Sequence, residues 1–472
     1  MKHLLLFGFL IVGFSLIKAQ DTLPKADTVQ FTFQLLPVIQ SDPSPRVILH
    51  PSLWWNGFSG AQAGLGTYVQ KEPFDLYGMV RYGTGLGANP AIVPDFDAFA
   101  DSFQRINYLV RARWHKDLAT LPFWKAVTNV AFVAESQSKD GLNRHALHLD
   151  MDILGVRENK RKKERGKEDP RWRIKSPGLR IVYQKMPRDY FRNYLNFPEQ
   201  WSAEKRNIFT ELKFRLTSYP LRKREYAGRK FDITQVLSTK LRSSLPGSEH
   251  DYGWLEASYA YYVNWKSLRL DLSAFGRIGW GSAPLESALY LAGGSPEEMY
   301  DHPGLNRGIA TEALTQNDIG RQTAHLQYAG GLHLRGYNGY RAELENFEPE
   351  WYGDHGLATH AELGWVSQKE SKSSVWGQDT KHEYRLYAFW DGGMIGRGND
   401  TAAIRDIVWG NWRMDAGVGA ELRLRFPNAT PWPRRARHPL SLRVDFPLFL
   451  SRPPAAEEFF QFRWLIGLGT TL

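Results

Sequence analysis

The sequence predicts an all-β fold, in the form of a transmembrane antiparallel β-barrel of about sixteen strands with a long infolded external loop. Many segments of the 472-residue chain alternate apolar and polar residues, which is the period of a strand with two different faces. Aromatic residues make up 14% of the chain, and 17 of them are Trp. The mean hydropathy is nevertheless negative, at −0.44, as expected when half of the strand residues face a wet lumen.

The amino terminus has the pattern of a secretory signal peptide. A basic start precedes an apolar run at 4–16, and Ala19 supplies a small residue at the expected cleavage site. We expect residues 1–19 to be the signal peptide, 20–44 to form a short periplasmic lead segment, and 45–472 to form the barrel. The chain contains no cysteine, which excludes a disulfide, a lipid-modified cysteine and a cysteine-ligated metal site.

Period-two alternation recurs along the whole of the predicted barrel. In one such segment Val418 and Leu422 belong to an apolar set that alternates with Asp415 and Glu421. In a membrane barrel the apolar set faces lipid and the polar set faces the lumen. The predicted strands are 45–57, 62–71, 74–84, 105–117, 125–137, 145–156, 178–188, 207–219, 229–242, 250–263, 267–281, 341–366, 383–394, 412–426, 439–449 and 458–471.

The connections between these strands fit an alternation between the two sides of a membrane. With a periplasmic amino terminus, we expect the loops 84–104, 189–206 and 282–340 on the external side. The basic run at 157–173 is predicted to be a solvated periplasmic turn, open to an acidic partner. A secreted soluble β-sandwich would show the same alternation, but the signal peptide, the Trp content and the number of strands favour the barrel.

An arginine and an aspartate carry the most specific signal in the sequence. Arg335 lies in the segment 334–337 (LRGY), near the end of the longest predicted loop, and Asp391 ends the segment 389–391 (FWD). Alternation along the strand 383–394 points Asp391 into the lumen. An arginine can donate two parallel hydrogen bonds to a carboxylate, which fixes geometry as well as charge. We therefore expect the two residues to pair and to hold the loop inside the barrel.

These two segments resemble the motifs of the BamA/TpsB superfamily, which contains outer-membrane assembly factors and two-partner secretion transporters. In those barrels a (V/L)-R-G-(F/Y) motif on the sixth external loop contacts an F-x-D motif on a following strand. The match covers 334–337 and 389–391, and the resemblance is specific over about 267–472. The resemblance implies a structural lock that consists of Arg335, Gly336, Tyr337, Phe389 and Asp391.

The resemblance also implies a function and a location. It implies a "bacterial surface antigen" type of barrel in the outer membrane of a Gram-negative bacterium, acting in protein insertion or translocation. The implied partners are outer-membrane lipid, a polypeptide substrate and a periplasmic protein, whereas nucleic acid is not expected. Superfamily members usually carry periplasmic POTRA domains, and the lead segment 20–44 is too short for one. The alternative is a passive channel or a structural outer-membrane barrel, serving a separate periplasmic partner.

No catalytic motif accompanies these features. His382 and Glu383 begin a zinc-peptidase pattern, but Leu386 stands where the second histidine would be. The sequence has no Gly-x-Ser-x-Gly motif and no glycine-rich phosphate loop. We therefore expect no enzymatic activity, no catalytic residue, no metal site and no cofactor. The formal net charge of +10 suits acidic partners such as lipid phosphates.

Overall fold

Within the part of the chain that the structure describes, sixteen long strands, each hydrogen-bonded to the next one along the chain, make up the main sheet of the computed structural model. The sheet is antiparallel between consecutive long strands, as expected when short connections join them. Four short strands join this sheet, which brings it to twenty. The structure describes residues 30–33, 38–39, 46–56, 60–71, 73–84, 106–117, 127–139, 142–155, 171–185, 205–219, 224–226, 229–292, 295, 297, 324–327, 331–337, 352–367, 373–375, 378–396, 412–425, 430–431, 440–453 and 458–470.

The long strands follow one another around the sheet in chain order. They are β3 (Arg46–Asn56), β4 (Gly60–Lys71), β5 (Phe74–Gly83), β6 (Ile106–Asp117), β7 (Val127–Lys139), β8 (Leu142–Gly155), β9 (Arg171–Lys185), β10 (Arg206–Tyr219), β12 (Arg229–Ser244), β13 (Tyr252–Trp265), β14 (Leu268–Gly281), β18 (His355–Ser367), β20 (Gln378–Gly396), β21 (Arg413–Arg425), β23 (Leu440–Leu450) and β24 (Trp464–Thr470).

The short elements lie in the lead segment and in the connections. They are the strands β1 (Gln30–Phe33), β2 (Val38–Ile39), β11 (Arg224–Tyr226), β15 (Leu289–Tyr290), β16 (Ala324–Gln327), β17 (Tyr352–Gly353), β19 (Ser373–Val375) and β22 (Thr430–Pro431), with 3-10 helices at Leu285–Ser287 and Arg335–Tyr337. Among the residues that the structure describes, none belongs to a helix long and apolar enough to cross a bilayer.

The two faces of the sheet differ as the alternation predicts. On β20, Leu386 is 59% exposed and Trp390 is 38% exposed, whereas Arg385 and Asp391 on the opposite face are buried. Large apolar side chains stand exposed in the same way on most of the other long strands. A sheet that exposes its apolar face and buries its charged face is the reverse of a soluble sandwich. The predicted all-β barrel of about sixteen strands is confirmed.

Some predicted boundaries are wrong. Of the predicted strand 341–366, the residues 341–351 lie outside the described part; β18 begins only at His355, and Tyr352–Gly353 pairs with β15 instead. In the predicted strand 458–471, regular strand pairing begins only at Trp464, and before it there is one isolated bridge between Phe449 and Phe460. Alternation indicates which face of a strand a side chain occupies. It does not indicate where a neighbouring strand supplies hydrogen bonds, and this pairing decides where a strand begins and ends.

Several predicted segments fall wholly or largely outside the described residues. They are the signal peptide 1–19, most of the lead segment 20–44, the external loops 84–104 and 189–206, much of the external loop 282–340, and most of the basic run at 157–173. Of that run, the last three residues belong to β9, which begins at Arg171. The predicted turn is therefore shorter than expected at its carboxyl end.

The first and last long strands carry short strands on their outer edges. β3 pairs with β4 on one side and, in parallel, with β1 on the other. β24 pairs with β23 on one side and, in parallel, with β16 on the other. The outer edges of β3 and β24 are thus hydrogen-bonded over these residues.

Candidate functional site

The long loop after β14 returns to the inner face of the sheet through an apolar cluster. The backbone amide of Leu332 donates to the carbonyl of Tyr290 at 2.8 Å, and that of Leu334 donates to the carbonyl of Leu291 at 3.2 Å. His333 between them has a φ of 59°, a left-handed conformation that non-glycine residues seldom adopt. The cluster consists of Leu289, Leu291, Leu332, Leu334, Tyr337, Ala358, Ile395 and Leu450. Apolar packing against β18, β20 and β23 therefore contributes to holding the loop on the inner face of the sheet.

Arg335 begins the 3-10 helix at the tip of this segment and contacts the wall directly. Its Nε donates to Oδ2 of Asp391 at 2.6 Å, and its Nη2 donates to Oδ1 of the same carboxylate at 2.8 Å. Arg335 is 1% exposed and Asp391 is fully buried. The guanidinium also lies 3.7 Å above the ring centre of Phe389. The side chains predicted to meet are therefore in a bidentate, desolvated contact with an aromatic ring beneath it.

The third nitrogen of Arg335 reaches two other strands. Its Nη1 donates to Oε1 of Glu362 on β18 at 2.7 Å and to Oδ1 of Asp445 on β23 at 3.4 Å. His360, next to Glu362 on the same face of β18, places Nδ1 3.0 Å from Asp391. One loop arginine thereby joins three strands of the wall, and each of its nitrogens has a carboxylate acceptor.

A second layer of arginines balances these carboxylates. Arg443 on β23 donates to Glu362 at 2.7 Å, and Arg385 on β20 donates to the other oxygen of Glu362 at 2.8 Å. Tyr387 donates its hydroxyl hydrogen to Asp445 at 2.5 Å. Buried charges are tolerated where they are paired and hydrogen-bonded. The wall thus compensates Glu362 and Asp445 with its own side chains, whereas Asp391 depends mainly on Arg335.

Gly336 and Tyr337 complete the contact of the loop with β21 and with the segment after β23. The amide of Gly336 donates to Oδ2 of Asp415 at 2.9 Å. A Cβ at Gly336 would lie 2.7 Å from Cβ of Asp415 and still closer to Leu450, so the close approach requires glycine. The hydroxyl of Tyr337 donates to the carbonyl of Met414 at 3.3 Å and accepts from the amide of Arg452 at 3.2 Å.

The beginning of the same loop has a second anchor, in which the positive charge belongs to the wall and the negative charge to the loop. Here the wall supplies the arginine: Arg242 on β12 donates to Glu297 of the loop at 2.5 Å and to Glu211 on β10 at 2.5 Å. It also donates to the hydroxyl of Ser287 at 3.3 Å, and its guanidinium lies 3.9 Å from the ring centre of Phe209. The loop is therefore tied to the wall by charge near both of its ends.

The structure brings together the five residues of the predicted lock, and it shows further side chains in contact with them. Sequence reasoning missed Glu362, Asp445 and Asp415 as acceptors and missed the anchor at Arg242. Asp415 and Asp445 belong to the polar sets of their alternating strands, and this alternation was the one sequence feature that could have indicated them as inward-facing acceptors. Nothing in the sequence relates Glu297 to Arg242, because they are 55 residues apart and meet only through the path of the loop.

The described residues also include no group of three or more histidine, aspartate or glutamate side chains that could hold a metal ion. Every nitrogen of Arg335 and every carboxylate around it serves the loop–wall contact. Chemically, the arrangement is an electrostatic clamp between two parts of one chain. Its consequence is mechanical, since it fixes the loop against the inner face of the sheet.

Comparison with solved structures finds distant barrel similarities. The chain is similar to BamA from Haemophilus ducreyi lacking POTRA domains 1–3, with 13% identity, a TM-score of 0.37, and coverage of 91% of this chain and 73% of that one. For CdiB from Escherichia coli the identity is 11% and the TM-score 0.41, over 89% of this chain and 61% of that one. For OccK10 (OpdN) from Pseudomonas aeruginosa they are 10% and 0.24, over 86% and 93%.

No protein-family model and no curated protein sequence matches the chain. The TM-scores of these three solved structures lie below 0.5.

Proposed function

We propose that this protein is an outer-membrane β-barrel of a Gram-negative bacterium that takes part in inserting or translocating polypeptides. Its outward face contacts lipid, and a polypeptide substrate and a periplasmic protein are its partners. The observation that carries the proposal is the contact of Arg335 with Asp391, Glu362 and Asp445, because it seats the loop of the LRGY motif on the strand of the FWD motif. Both motifs resemble those of the BamA/TpsB superfamily.

The five residues of the predicted lock have distinct tasks in this proposal. Arg335 supplies the charge, Asp391 receives it, and Phe389 supports the guanidinium from below. Gly336 permits the close approach to β21, and Tyr337 fastens the next turn. A loop fixed in this way keeps the barrel in one state, and a change in the loop–wall contact would accompany the handling of a substrate.

Conditional depletion followed by quantitative proteomics of the outer membrane tests the function. We expect the abundance of a set of other surface proteins to fall as the protein is depleted. Re-expression of the wild-type chain or of the Arg206→Ala variant restores them, since Arg206 is half-exposed and pairs only with Glu249 among the contacts described. The Arg335→Ala variant restores them less.

Two results would point elsewhere. Unchanged levels of every other surface protein after depletion would overturn the insertion or translocation role. A steady ionic conductance of the purified protein in planar bilayers, equal in the wild type and in Arg335→Ala, would favour the passive channel instead.

A further inference from the structure

The inner face of the sheet around Arg242 is basic. Two successive rows of register partners cross β9, β10, β12, β13 and β14 there. The first row consists of Arg180, Glu211, Arg242, Trp254 and Gly279, and the second consists of Gly178, Lys213, Lys240, Glu256 and Arg277. Five cations against two carboxylates give these ten residues, here called the basic patch, a net charge of +3.

The corresponding rows beneath Arg335 have the opposite sign. They cross β14, β18, β20, β21 and β23, and consist of Ser273, His360, Asp391, Asp415 and Leu450, then Asp271, Glu362, Phe389, Gly417 and Pro447. Four carboxylates, with His360 neutral and no arginine or lysine among these ten described residues, give a net charge of −4. The loop places Arg335 on these acidic rows and Glu297 on the basic patch. Each surface therefore takes a loop side chain of the opposite charge.

The wall alone holds Arg242 in position. Its Nε and Nη2 donate to Glu211 at 3.1 and 2.5 Å, and its guanidinium carbon lies 3.9 Å from the ring centre of Phe209 and 4.7 Å from that of Trp254. None of these contacts involves the loop, so we expect them to persist when Glu297 leaves. The third nitrogen, Nη1, is the one directed towards Glu297. The wall therefore presents an oriented donor that suits a carboxylate.

Glu297 fills this position incompletely. Its Oε2 accepts from Nη1 of Arg242 at 2.5 Å and from the hydroxyl of Ser287 at 2.8 Å. Its Oε1 is buried and has no hydrogen-bond partner in the described part of the structure. A buried carboxylate oxygen without a donor costs free energy. A ligand whose carboxylates are fully hydrogen-bonded can therefore compete with Glu297.

The spacing of the cations in the basic patch matches an extended chain. Arg242 and Lys240 lie two residues apart on β12, about 6.6 Å at roughly 3.3 Å per residue, and Lys213 is the register partner of Lys240. The side chains of Lys213 and Lys240 are 37% and 31% exposed, so a ligand can reach them. Alternate residues of an extended polypeptide have the same separation and point to the same side.

We propose that the basic patch binds a polypeptide segment with acidic side chains at alternate positions, and that Glu297 occupies the Arg242 position until such a segment displaces it. The proposal rests on the proposed function and deepens it by assigning the class of substrate. An occupant within the same chain keeps the position closed to weakly acidic segments, because its own carboxylate competes with them.

A fluorescent peptide tests the occupancy on the purified protein in detergent micelles. The probe is Gly-Glu-Ser-Glu-Ser-Glu-Gly, and its control carries glutamine in place of each glutamate. We expect Glu297→Ala to bind the acidic peptide at least about tenfold more tightly than the wild type, because the competing carboxylate is gone. The matched control Glu249→Ala should keep the wild-type affinity, since Glu249 pairs with Arg206 outside the basic patch. Equal affinities of Glu297→Ala and the wild type would refute the occupancy.

Two further variants, made in the Glu297→Ala background, test the site itself. Arg242→Gln should abolish binding of the acidic peptide. Lys240→Gln should weaken it by at least about threefold while the protein stays folded, because Glu256 keeps its contact with Arg277. The change of electrophoretic mobility on heating verifies folding of each variant, and Lys240→Gln decides the matter if Arg242→Gln does not fold.

Three results would overturn the proposal. These are equal binding of the acidic and glutamine peptides, unchanged binding in Lys240→Gln, and displacement of the acidic peptide by inorganic phosphate as effectively as by unlabelled acidic peptide. The last result would assign the basic patch to phosphate groups. Peptide binding is measured without reference to other surface proteins, so a failure here is distinct from a failure of the depletion experiment.

Discussion

Removal of the Arg335 side chain is the perturbation with the largest expected effect on the loop. In Arg335→Ala the bidentate contact with Asp391 and the contact with Glu362 are lost together. Glu362 keeps Arg443 and Arg385, so its charge stays compensated. In the described part of the structure, Asp391 is left with the imidazole of His360 and the backbone amide of residue 335 as hydrogen-bond partners. A nearly uncompensated, fully buried carboxylate is the main cost.

The size of the effect follows from this burial. Removing one partner of a buried ion pair costs about 3–5 kcal/mol, most of it from the charge left behind. At about 1.4 kcal/mol per factor of ten, the population of molecules with the loop detached should rise by roughly two to three and a half orders of magnitude. Arg206→Ala is the matched control, since its half-exposed ion pair with Glu249 is screened by solvent and contributes little.

Hydrogen exchange of the loop amides measures this population directly. The amides of Leu332, Leu334 and Gly336 donate to buried acceptors, so they exchange only when the segment detaches. Exchange of the peptide 331–337, followed by mass spectrometry on the protein in detergent micelles, should be at least about a hundredfold faster in Arg335→Ala than in Arg206→Ala. Rates within threefold of each other would refute the clamp as the element that seats the loop.

Three other substitutions have definite expected outcomes. Gly336→Ala, whose Cβ would lie 2.7 Å from that of Asp415, should cost about 1–3 kcal/mol in urea unfolding, whereas Gly276→Ala, with its nearest neighbour at 3.7 Å, should cost less than about 1 kcal/mol. Equal costs would contradict the close approach. Arg242→Ala removes the arginine partner of the buried Glu297, whereas Glu211 keeps its ion pair with Lys213. Hydrogen exchange should accelerate at 285–292 without changing at 331–337, and acceleration at both would mean that the anchors are not separate. Leu386→Arg should destabilise the folded protein by about 2–4 kcal/mol and Leu386→Phe by much less, and a tolerated arginine would show that this face does not meet lipid.

Much of the fold could be predicted from the period of the sequence. Alternation gives the face of each strand residue, so it placed Arg385 and Asp391 on the inner side and Leu386 on the outer side of β20. Turn residues and strand lengths then gave about sixteen strands. Alternation together with side-chain chemistry also predicted Arg335 and Asp391 as partners, because an inward carboxylate can accept two hydrogen bonds from an arginine whose neighbouring glycine allows a close approach.

The rest depends on information that alternation does not contain. Glu362 meets the same arginine as Asp391 because the register of β18 against β20 brings them together, and hydrogen bonds across the sheet set that register. The contact of Glu297 with Arg242 depends on the path of an irregular loop. β1 and β16 have four residues each, too few to show a period, so the occupied edges of the terminal strands were not foreseen.

A double-mutant cycle between Arg335→Ala and Asp391→Ala tests most directly whether one buried pair seats the loop. The free energy of loop detachment, from hydrogen exchange at 331–337, is measured for the wild type, both single variants and the double variant. We predict a coupling of about 1.5–3 kcal/mol, with the double variant less perturbed than the sum of the two, because the stranded charge is absent from it. Additivity to within about 0.5 kcal/mol would contradict the clamp, since residues that do not interact behave in that way.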